Sequence, residues 1–267
     1  MFRFLVLIIV ICVALTAATD SHIRHSADPC DSTTNGLIDG ERLEYDIYYN
    51  YGFVWLSAGE VVFTTSQDGD HYLVEVTGKT HPAYSRVFKV DDYFATQIDK
   101  HTGLPDYFVR RVHEGKYRKY DSLAFDQQHF RAVSYVGKTR ADVKEQRMDF
   151  TTCMHDMLSI VYQVRALNFD TITVGTSVPY EVAFDGETYD LAMLFKGIQR
   201  KRIKKLGHRD TYVVEPQVVA GAVFDEETTM TLYTTTDQLK VPLLVESPVS
   251  IGSVKAVLRS LESVSYK

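Results

Sequence analysis

Cys153, His155 and Asp156 fall within four consecutive positions and are, by type, a nucleophile, a base and an acid. A thiol is activated only by a base within hydrogen-bond reach. On a helix, residues two positions apart point about 200° away from each other. Cys153 and His155 therefore cannot work together there. Asp156 reads more simply as an acid in the first turn of a helix, where the dipole favours negative charge. No residue of this cluster is assigned a catalytic role.

The other chemistry-bearing residues are dispersed. Nine histidines are spread along the chain without a His-x-x-x-His pair, while zinc asks for about four converging ligands. They read as surface or turn residues, and no metal or cofactor is expected. Asp91-Asp92 and Glu226-Glu227 are adjacent acids. A glycosidase needs two carboxylates across one cleft, and neighbours on a strand point to opposite faces. The run from Lys196 to Lys205 holds six basic residues. It suits either anionic headgroups or a charged edge strand that resists pairing with another sheet. The stretch from Glu44 to Phe63 is rich in aromatics. Tyr45, Tyr49, Phe53 and Trp55 are the residues expected to contact a ligand, if this stretch lines a cavity rather than a filled core.

These residues need a scaffold, and the scaffold reads as β. Tyr45, Ile47, Tyr49, Tyr51 and Phe53 alternate with Glu44, Asp46, Tyr48 and Asn50. A period of two argues for a half-buried strand. Ser57-Ala58-Gly59 is expected to form a corner before a second strand. Further strands are expected over 71–77, 93–98, 107–113, 117–125 and 130–136, and then over 178–184, 187–195, 199–205, 212–215, 229–235, 243–247 and 254–264. Turn signals such as Asp68-Gly69-Asp70 and Asp185-Gly186 separate them. One segment breaks the pattern. From about 153 to 168, Met154, Met157, Leu158, Val161, Val164 and Leu167 share one helical face, with Thr152 as the cap. The fold class expected is mainly β, an antiparallel meander curled into a barrel-like or spiral sheet, with one clear α-helix. The domain plan is a signal peptide (1–18), a lead (19–40) and one β-rich domain (41–267). Two similar halves, 41–150 and 175–267, joined by the helix are one version of that plan.

The start is basic, Phe4 to Ala14 is almost wholly apolar, and Thr16-Ala17-Ala18 follows. This is the layout of a cleaved secretory signal, and the apolar run is shorter than the roughly 20 residues that span a bilayer. The periplasm is the expected location. The formal net charge of −6 argues against nucleic acid as a partner. Two cysteines would remain after cleavage, Cys30 and Cys153. In an oxidising compartment they are expected to form a disulfide.

The residues that carry a family resemblance lie within 38–264. They include Gly40-Glu-x-Leu-x-Tyr45, Tyr48-Tyr-Asn-x-Gly-Phe-x-Trp-Leu-x-Ala-Gly-Glu60, Asp156-Met-Leu-Ser159 and Pro242-Leu-Leu-Val-Glu-Ser-Pro248. In this order they resemble the uncharacterised secreted bacterial family filed as domain of unknown function 3108. The resemblance implies an exported protein and an architecture, not a reaction. The function expected is a non-enzymatic periplasmic protein of envelope upkeep, binding an apolar or lipid-like molecule or an envelope protein. A hydrolase acting on envelope glycan or lipid, and an adaptor with a filled core, are the rival readings.

Overall fold

The period-two pattern becomes one antiparallel sheet of 14 strands. The computed structural model describes residues 36–51, 54–86, 88–217, 230–248 and 252–263. The expected signal peptide, most of the lead, Cys30, Phe53 and Glu226-Glu227 lie outside the described residues.

The first eight strands are β1 (Arg42–Tyr51), β2 (Val54–Asp68), β3 (His71–Thr80), β4 (Asp91–Asp99), β5 (Pro105–Glu114), β6 (Tyr117–Asp126), β7 (Arg131–Gly137) and β8 (Lys144–Asp149). Helix α1 (Ser159–Ala166) follows. The remaining strands are β9 (Ser177–Phe184), β10 (Glu187–Ile203), β11 (Gly207–Pro216), β12 (Thr231–Thr234), β13 (Pro242–Pro248) and β14 (Ser253–Glu262). Strands adjacent in sequence pair in space, with one exception. β14 returns to pair with β1, and β8 does not pair with β9. The meander is therefore open at the point where the chain leaves it to build α1. It is not closed into a barrel.

The two edges nevertheless approach each other. The turn between β9 and β10 is Asp185-Gly186, with both residues at positive φ (55° and 80°), as a tight two-residue hairpin requires. The Asp185 carboxylate meets Arg110 on β5 and Lys119 on β6, and its backbone N–H donates to Asp121 on β6 at 2.8 Å. This polar latch ties the β9–β10 hairpin to β5 and β6 without a strand ladder.

Alternation supplies the inner face. Ile47, Val61, Val74, Val76, Phe94, Phe108 and Leu123 have almost no exposure. Helix α1 packs against that face. At eight residues it is below the length at which a helix holds itself in water, so packing maintains it. The Tyr162 hydroxyl lies 3.1 Å from Thr65 Oγ1 on β2.

Two expectations are corrected here. The helix begins at Ser159 rather than near 153, because His155 pairs in parallel with Val182 of β9. Its backbone N–H and C=O are committed to Glu181 and Ala183. Ser57-Ala58-Gly59 is not a corner: Ile47 faces Gly59 and Tyr48 faces Ser57, so Ala58 is the extra residue of a bulge inside β2. Of the expected Cys30–Cys153 disulfide, Cys30 lies outside the described residues, and Cys153 is buried.

No helix among the described residues is long and apolar enough to cross a membrane.

Candidate ligand-binding site

The inner face is not filled everywhere. Between α1 and the strands β1, β2 and β9–β13 lies a crevice with about 50 Å³ of free space. Tyr45 and Phe63 form one wall, Val161 and Val164 of α1 the roof, and Tyr180, Met193, Val214 and Leu232 the other wall. These side chains meet because each strand turns alternate residues inward. α1 contributes a continuous apolar strip of Val161 and Val164.

The polar groups around the crevice are nearly all satisfied. Glu41 and Arg165 form a two-point ion pair, with both N···O distances 2.7 Å. Arg165 Nε donates to the Leu239 carbonyl at 3.1 Å. Burial works against the Arg165 charge, and the bonds to Glu41 outweigh it and hold its pKa above the ordinary value. The Tyr45 hydroxyl donates to the Pro242 carbonyl at 2.9 Å. Burial pushes the Tyr162 phenol up to about 12. Tyr180 is the exception: its hydroxyl is shut off from solvent and has no hydrogen-bond partner among the described residues.

A second cluster precedes α1. Asp156 Oδ1 accepts from the N–H groups of Leu158 and Ser159 at 2.7 and 3.0 Å, so it caps the helix from outside. Its Oδ2 accepts from Thr96 Oγ1 at 2.6 Å. Burial raises the Asp156 carboxyl to about 6 despite these bonds. His155 Nδ1 lies 3.3 Å from Ser159 Oγ, and burial lowers this imidazole to about 4. Serine, histidine and aspartate are thus neighbours. They do not form a triad, because Asp156 bonds to Thr96 and the helix N-terminus and leaves His155 unoriented. A triad needs the acid on the imidazole. All three are buried, so no substrate reaches them.

The adjacent acids Asp91 and Asp92 face opposite sides of β4. Asp91 is exposed, whereas Asp92 is buried beside Glu114. Burial raises Asp92 to about 6, opposed by bonds from the His113 N–H and from Glu114. The two do not flank one shared space as a glycosidase pair would. The basic run spans the second half of β10, where Gly197–Ile203 pair with β11, and the turn that follows it. Much of its charge is matched: Lys196 by Glu215, Lys201 by Glu246 and Lys205 by Asp46. Among the described residues one group has metal-ligand chemistry, His71, Asp99 and Asp106, whose ligand atoms lie within 4.8 Å of one another. Asp106 is the bulge residue of β5 between Tyr107 and Pro105, the partners of Gln97 and Ile98. The bulge turns it to His71, at 2.9 Å.

Of the residues expected to touch a ligand, Tyr45 lies in the crevice wall. Tyr49 is buried further along β1. Trp55 is on the outer surface, 42% exposed, with the Lys255 ammonium 4.7 Å above its ring. Phe53 lies outside the described residues. Tyr180, Val214, Leu232, Glu41 and Arg165 were not singled out from the sequence. For Arg165 a signal existed, a lone cation in an otherwise apolar helical stretch.

A family model described as "Protein of unknown function (DUF3108)" matches residues 44–259. Among curated proteins none matches the chain. Among solved structures, a crystal structure of a beta-barrel-like protein of domain of unknown function DUF1849 from Brucella abortus is similar. It aligns with a TM-score of 0.58 and 10% identity, over 85% of this chain and 98% of that one. At that identity the likeness concerns the fold alone.

Proposed function

The chain belongs to the family of proteins of unknown function DUF3108, and within it we propose a non-catalytic binding protein that takes an apolar, lipid-like ligand under α1. The observation that carries this reading is the crevice itself, an apolar space left open among buried side chains. Protein interiors are packed as densely as organic crystals, and a void forfeits the contacts its lining would make. The space of about 50 Å³ compares with roughly 150 Å³ for an apolar cavity that holds benzene. It therefore receives one narrow end of a ligand, not a whole lipid. The basic start, the apolar run Phe4–Ala14 and Thr16-Ala17-Ala18 support export, and the periplasm is the proposed location, with a role in envelope upkeep.

Native mass spectrometry of protein exported to a bacterial periplasm tests this, with the solvent extract analysed beside it. One apolar molecule per chain is expected, and its loss in Val214→Phe, which fills the crevice. A clean apo mass after exposure to several membrane extracts would overturn the reading and leave a structural scaffold.

A further inference from the structure

Tyr180 gives the crevice a chemical preference. Its ring lines the apolar space, and its hydroxyl is buried without a partner among the described residues. A buried unpaired hydroxyl costs on the order of 1–3 kcal/mol, so something that is not part of the wall has to answer it. The free space is large enough for a water. A buried water, however, needs two to four polar partners. The neighbouring polar groups are already engaged: Tyr45 with the Pro242 carbonyl, Tyr162 with Thr65, and Arg165 with Glu41 and the Leu239 carbonyl. With those donors committed, a water there would be poorly held.

We infer that the ligand is uncharged and carries a single hydrogen-bond acceptor near its buried end, an ester or ketone oxygen that accepts from the Tyr180 hydroxyl. This rests on the binding reading above and narrows it. An acid anion is disfavoured, because a buried carboxylate must be paired and Glu41 already takes both Nη atoms of Arg165. A plain hydrocarbon is disfavoured because it leaves the hydroxyl unanswered.

The test uses three probes of similar length: methyl octanoate, undecane and the octanoate ion. Binding of the two volatile probes is read from headspace partition over the full mature chain, and binding of octanoate from equilibrium dialysis. Wild type is compared with Tyr180→Phe. The expected result is that Tyr180→Phe weakens methyl octanoate by about fivefold to tenfold, the worth of one neutral hydrogen bond. Undecane binding stays within about twofold, which also reports that the variant is folded, and octanoate binds wild type more weakly than its ester. The thermal midpoint of Tyr180→Phe should equal or exceed that of wild type, since an unpaired group has been removed. Equal loss or no loss for ester and alkane overturns the inference while the binding reading stands. So does a lowered midpoint, which would mean that the hydroxyl has a structural partner. If wild type binds neither ester nor alkane, the binding reading itself falls.

Discussion

Glu41 and Arg165 are 124 positions apart in the chain, yet they face each other through two N···O contacts of 2.7 Å in the interior. The pair ties the end of α1 to the segment that enters β1, with side-chain exposures of 2% and 1% for Arg165 and Glu41. It keeps one wall of the crevice at a set distance from its roof. Removing one partner of a buried pair strands a charge and costs about 3–5 kcal/mol, whereas replacing both by apolar groups is often neutral or better. Arg165→Met should therefore lower the urea midpoint sharply, and Glu41→Met/Arg165→Met should recover most of the loss. Equal loss in the single and double variants would show that the pair is not what anchors the helix.

The acid limb of stability should carry the mark of His155. Its folded pKa lies near 4, below the ordinary 6.5, so the unfolded chain binds the extra proton first. The stability it contributes is full above pH 6.5 and is lost as pH falls towards 4, on the order of 3 kcal/mol. Asp156 and Asp92, both raised from 3.8 to about 6, act in the opposite sense. They favour the fold below about pH 4, and that contribution is lost as pH rises through 6. His155→Leu should gain stability relative to wild type between pH 7 and pH 4, measured by denaturant titration at each pH. Parallel profiles would remove His155 from the account.

Gly36 passes α1 too closely for any side chain. A Cβ there would sit 2.4 Å from the Tyr162 carbonyl oxygen and 3.0 Å from Arg165 Cβ, both on the helix that roofs the crevice. Gly36→Ala must push backbone from backbone, and overpacking of this kind costs about 1–3 kcal/mol. A lowered thermal midpoint is expected, together with weaker ligand binding. An unchanged midpoint would mean that the segment before β1 is not docked there.

Asp185 is the latch between the β9–β10 hairpin and strands β5 and β6. Asp185→Ala removes a partner from buried Arg110 and from Lys119. Amide exchange in β9 and the first half of β10 should accelerate, while β2 and β3 stay protected. Uniform exchange across the sheet would mean that the edges are held by something else.

The strands were legible because alternation survives wherever one face is buried. Tyr45, Ile47 and Tyr49 are buried as their spacing indicated, although Asp46 and Tyr48 between them are covered as well. β8 was not legible, since from Lys144 to Asp149 only Met148 is buried and no pattern is left to read. β10 read as two strands because Gly197 interrupts it. In fact Gly197, at φ 87°, takes up a register shift against β11 after Phe195, and the strand runs on. The crevice was half legible. Tyr45 is found in its wall, but Tyr180, Val214 and Leu232 arrive from separate strands of the second half, and nothing in their local sequence marks them as neighbours of α1. Trp55 looked like a ligand contact because it is large and unique. Its position on β2 turns it outward, to Lys255.

The most direct test of the central claim is to locate the ligand. An acyl ester bearing a photoreactive diazirine would be bound to the mature chain, irradiated, and its adducts mapped by peptide mass spectrometry. Adducts on α1 at Val161 or Val164, and on Val214 or Leu232, with their loss in Val214→Phe, are the predicted result. Adducts confined to the outer surface around Trp55, or spread without preference, would contradict a binding site under α1.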